Sequence, residues 1–80
     1  MSTTPSVYVD FQNADSAGRI RLNTTGSLRD LSALSGGPSE GLVVRLESEE
    51  LRATGVMRFS SDEQIWVAEL DWSEVEDRGR

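Results

Sequence analysis

Few residues in this chain have the chemistry to act on another molecule. Glu69 and Asp71 lie two positions apart, which sets both carboxylates on one face of an extended strand. Such a pair can do acid–base work or hold a hard cation. Acids also gather in two clusters, Glu47/Glu49/Glu50 and Asp71/Glu74/Glu76/Asp77, without calcium-loop spacing. Charge runs of this kind are ordinarily solvated faces. Arg45 and Arg58 are expected to project outward from neighbouring strands, where they can bind an anion or an acidic partner, or pair with cross-strand acids such as Glu47 and Glu69. Of the aromatics, Trp66 belongs in the middle of an apolar face. Trp72, between Asp71 and Ser73, is either the last core residue or an exposed interface anchor, a role in which tryptophan is enriched. Trp72, Tyr8, Arg45, Arg58 and Asp71 are therefore the candidate partner-binding residues.

The missing residue types exclude more than the present ones suggest. The chain has no cysteine, histidine or lysine. Disulfides, zinc ribbons and thiol catalysis are out, as are an imidazole base and Schiff-base chemistry. The serines have no imidazole to activate them. No phosphate-binding loop, dinucleotide fingerprint or nucleophile elbow occurs. The expectation is a non-enzyme without cofactor or metal.

Charge is unevenly spread. Residues 1–37 hold three acids and three arginines, and residues 38–80 hold eleven acids and five arginines, so the net charge of −6 resides in the second half. Phosphate backbones repel such a chain, and nucleic acid is not an expected partner. No run approaches the roughly 20 apolar residues of a membrane span. The start, MSTTPSVYVDF, has no basic segment leading into an apolar one, so neither a signal peptide nor a membrane is expected and the location reads as cytoplasmic.

The elements that must position these residues are short and mostly extended. Val7, Val9 and Phe11 alternate with Tyr8, Asp10 and Gln12, and Ile20 and Leu22 alternate with Arg19 and Arg21. These two strands are expected to form a hairpin. Ser27 reads as a helix N-cap with Asp30 three residues on, Leu28, Leu31 and Leu34 suit one helical turn plugging an open end of the core, and Gly36-Gly37-Pro38 stops it. A three-strand meander follows: Leu42/Val44/Leu46 inward, then about 51–59 with Gly55 as a bulge or bend, then Trp66/Ala68/Leu70/Trp72. The predicted fold is mostly β: a small five-stranded SH3-like barrel or a strongly curved antiparallel sheet, with one short helical turn near 27–35. Residues 1–5 read as a disordered lead, 6–72 as a single β domain and 73–80 as a charged flexible tail.

Two resemblances bear on function. Arg29-Asp30-Leu31-Ser32 with Gly36-Gly37 resembles the D-x-S-x-x-G signature of PilZ domains, which implies cyclic-dinucleotide binding on a β-barrel. The glycines fall one or two places late, however, and the family's paired arginines are missing. A helix cap with a glycine stop is the preferred account. G-S-L-x-D-L (26–31), E-G-L (40–42), G-V (55–56) and W-V-A-E-L-D-W (66–72) are similar to small uncharacterised bacterial β-barrel-like proteins over about residues 19–72. That likeness implies a shared fold and no assigned activity. The expected function is a non-catalytic protein-binding or adaptor module, with a homodimer through an edge strand as one form of partner. An acidic decoy that mimics nucleic acid is the alternative. A carboxylate-only hydrolase or a PilZ-like binder comes third.

Overall fold

The computed structural model describes residues 4–77; residues 1–3 of the expected lead and 78–80 of the expected tail lie outside the described residues. In chain order the elements are β1 (Ser6–Tyr8), β2 (Ile20–Arg21), helix α1 (Thr25–Ser32), β3 (Val43–Glu47), β4 (Leu51–Ser60), β5 (Ile65–Leu70), a 3₁₀ turn (Trp72–Glu74) and β6 (Glu76–Asp77). One sheet contains all the strands, in the order β1-β3-β4-β5-β2, with β6 added to β4 beyond the end of β5. It curls into a half-barrel, in keeping with the mostly-β reading.

Two-residue periodicity places the side chains as expected. Val7, Val44, Leu46, Met57, Ile20 and Ala68 are fully buried on the concave face, with Trp66 and Leu70 packed against them. Leu31 is buried and Leu34 packs on the core, whereas Leu28 is 54% exposed and plugs nothing. Gly55 shares the concave face. Its partners run in unbroken register, Val44 on one side and Leu70 on the other, so the glycine is not a bulge. A Cβ there would stand 2.7 Å from Leu46 Cδ1 and 3.1 Å from the Glu69 carbonyl, so the missing side chain lets the core close over β4.

Two local expectations are corrected. β1 and β2 do not form a hairpin. β1 runs parallel to β3 (Val7 opposite Leu46) at one edge, and β2 pairs with β5 at the other, which makes the sheet mixed. The hairpin instead joins residues 13–15 to 19–21, through Asp15 N to Arg19 O and Arg21 N to Asn13 O, both 2.8 Å. Its turn is built by Asp15, whose Oδ1 accepts from Ala17 N (3.0 Å) and Arg19 N (2.8 Å), with Gly18 at φ +82°. The helix begins earlier than predicted, with Thr24 as N-cap; its Oγ1 accepts from Ser27 N at 3.1 Å. Ser27 is fully buried and spends its hydroxyl on the Tyr8 carbonyl instead. Within the stretch read as a tail, Glu76 and Asp77 pair with Arg52 and Leu51.

Candidate functional site

The convex face of the sheet has two dissimilar ends. At one, strand register aligns Arg21, Val67 and Arg58 across β2, β5 and β4. Val67 is fully buried although it points away from the main core, and in register it lies between Arg21 and Arg58, whose aliphatic stems are suited to cover it. Both guanidinium groups are held by acids. Arg58 Nε reaches Glu69 at 3.1 Å and its Nη1 lies 3.6 Å from Glu40, whose carboxylate also accepts the Phe59 N–H. Arg21 grips Glu63 through two nitrogens, at 2.8 and 2.9 Å. Those hydrogen bonds hold the Glu63 carboxyl below its ordinary pKa and raise that of Arg21.

At the other end, Val43 pairs with Val56 and Arg45 with Thr54. The β4–β5 ladder stops at Gly55–Leu70, and the β4–β6 ladder begins at Arg52–Glu76. Residues 53–54 therefore face the longer segment 71–75, which must bow out. A concavity of about 420 Å³ results, lined by Arg45, Arg52, Ala53, Thr54, Glu74 and Glu76. Arg52 Nε meets Glu76 at 3.4 Å. Among the described residues, no carboxylate lies within ion-pair distance of Arg45. The site thus offers an uncommitted guanidinium and a threonine hydroxyl opposite two glutamates. That set can recognise a polar segment of mixed charge. It does not pair a nucleophile with a base.

The other candidates are dispersed. Asp71 caps the 3₁₀ turn, accepting from Ser73 Oγ (2.6 Å) and Ser73 N (3.0 Å), and these bonds lower its pKa. Glu69 is engaged by Arg58, so the two carboxylates expected to share a strand face have separate partners. Trp72 is not among the core residues and packs at the surface. Its ring stands edge-on to Phe11 at 6.3 Å and its Nε1 donates to Gly18 O at 2.8 Å, yet it is 44% exposed. It borders a second groove, of about 410 Å³, with Arg19, Glu69 and Leu70. Tyr8 lies at the β1 edge, where its hydroxyl contacts Glu49 at 3.2 Å; that hydrogen bond and the carboxylate's charge raise its pKa.

The structure therefore joins Arg45 to Arg52, Thr54, Glu74 and Glu76, and not to Arg58 or Tyr8. Sequence reasoning missed Arg52 and Thr54, and read Glu74 and Glu76 only as part of an acidic cluster. Strand parity places Arg52 and Thr54 on the outer face, but nothing local signals the bow at 71–75. Among the described residues, no group of three or more acids is arranged to hold a metal ion, and no helix is long and apolar enough to cross a membrane. Comparisons with protein-family models, with curated proteins and with solved structures each gave no match for this chain.

Proposed function

We propose that this chain is a non-catalytic, cytoplasmic protein-binding module whose contact surface is the convex face around Arg45. The observation that carries the reading is the uncommitted guanidinium of Arg45, set beside a concavity and next to Val43, which is 46% exposed. Arginine flanked by apolar surface is the composition favoured where proteins meet. The same geometry supports a binding module over an acidic decoy. A decoy needs unbroken negative charge, whereas Asp15, Glu40, Glu63, Glu69 and Glu76 each lie against an arginine.

Affinity capture with the wild-type chain, Arg45→Glu and Arg29→Glu tests this. Arg29 is an exposed arginine on α1 and serves as the control. A protein retained by wild type and Arg29→Glu but lost with Arg45→Glu is the expected result. Identical captured sets for all three chains would end the reading. Trp72→Ala reports whether the surface extends past the 3₁₀ turn.

A further inference from the structure

The two long edges of the sheet are closed by different means. Beside β2, the backbone of residues 13–15 closes the edge. At β1 the closure is by side chains. Pro5 O accepts from Arg45 N at 2.8 Å and Val9 N donates to Glu47 O at 2.9 Å, so alternate residues of this segment bond to β3. The groups between them face outward, and α1 takes both of those on Tyr8. Tyr8 N donates to Asp30 Oδ2 at 2.8 Å, and Ser27 Oγ donates to Tyr8 O. Gly26 lies against the Tyr8 ring so closely that a Cβ there would be 2.8 Å from Cδ2.

This cover is lightly held. α1 has 8 residues, too few for a helix to persist without docking, and it buries only Ser27 and Leu31. The element it packs on is β1. It is followed by Gly36 and Gly37, at φ +80° and +75°, with open space around both. Glycine adopts that conformation without strain and leaves the connection free of side-chain packing that would hold α1 down.

We propose that α1 is a removable cover over the edge of β1, and that β1 pairs with β1 of a second copy when the cover lifts. An exposed edge templates strand addition, because its unpaired N–H and C=O groups need partners. The charge pattern selects this edge. Residues 4–9 carry no charge, so the two β1 strands themselves add no like-charge pair, whereas β6 is Glu76–Asp77 and repels its own kind. Opening replaces two side-chain bonds on Tyr8 with backbone ones and leaves the β3–β4–β5 meander in place. The inference does not depend on the Arg45 surface.

Two measurements test it. In native-state amide exchange of the wild-type chain, Tyr8 N–H should exchange about tenfold or more faster than Val9 N–H, since the cover opens without the sheet. Equal protection of the two amides overturns the proposal. In sedimentation over a concentration series, Ser27→Ala/Asp30→Ala should show a monomer–dimer equilibrium shifted toward dimer relative to wild type, with Tyr8 N–H protection rising with concentration. A folded variant that stays monomeric throughout overturns it equally. If the double variant does not fold, Asp30→Ala alone removes one of the two bonds and is read in the same way.

Discussion

Arg58 and Arg45 sit on adjacent strands of the same convex face and do opposite things. Arg58 is bound by two acids and, with Arg21, flanks the buried Val67 in register. Arg45 stands beside a concavity and, among the described residues, makes no ion pair. The first end is a small second core closed by ion pairs. The second is an exposed guanidinium with no ion pair among the described residues. Charge on a strand face thus says little until its cross-strand neighbours are known: the same residue type stabilises the chain at one site and is available to a partner at the other.

The comparison breaks most directly at Val67. Val67→Ala should destabilise the chain by about 2 kcal/mol, as cavity formation does in a core, and Val56→Ala at the open end by under about 1 kcal/mol. Equal losses in chemical denaturation would show that the flanking arginines protect nothing. Next in size, Arg58→Ala should cost about 1 kcal/mol through lost packing over Val67, because its ion pairs are partly solvated.

The closed end and its hairpin should also respond to acid. Burial pushes the Asp15 carboxyl upward, but hydrogen bonds from the Arg19 backbone and guanidinium and from Ala17 N–H outweigh it and hold the group below its ordinary value. Ionised Asp15 is thus favoured by folding. Its contribution is complete above the unfolded pKa, near pH 4, and disappears as pH falls through the lower folded value. Glu63 shifts in the same direction and adds to the same window. Asp15→Asn should flatten the stability–pH curve below about pH 4; an unchanged slope would remove Asp15 from this account. Smallest of all, Arg45→Glu should alter stability by no more than about 0.5 kcal/mol while abolishing partner capture. A large loss of stability would mean that Arg45 belongs to the fold, not to a binding surface.

Much of this is legible in the sequence. The alternation in 42–46 and 64–72 assigned Val44, Leu46, Ala68 and Trp66 to the core face, and the absence of cysteine, histidine and lysine narrowed the chemistry. The helix starts three residues before the cap the sequence favours, because Thr24 and Ser27 are both able caps. Only the packing of Ser27 against Tyr8 shows which one is buried. Arg45 and Arg58 read alike in sequence, since Glu40 is remote from Arg58 along the chain and becomes its neighbour only when β3 and β4 pair.

The sequence alone determined which side of each strand meets the interior, because side-chain direction alternates residue by residue and needs no knowledge of the partner strand. Tertiary structure decided which strands lie together. It set β1 parallel to β3, bowed out residues 71–75 and, among the described residues, left Arg45 without an ion-pair partner. Pairing and register depend on contacts far apart in the chain, and no local pattern encodes them.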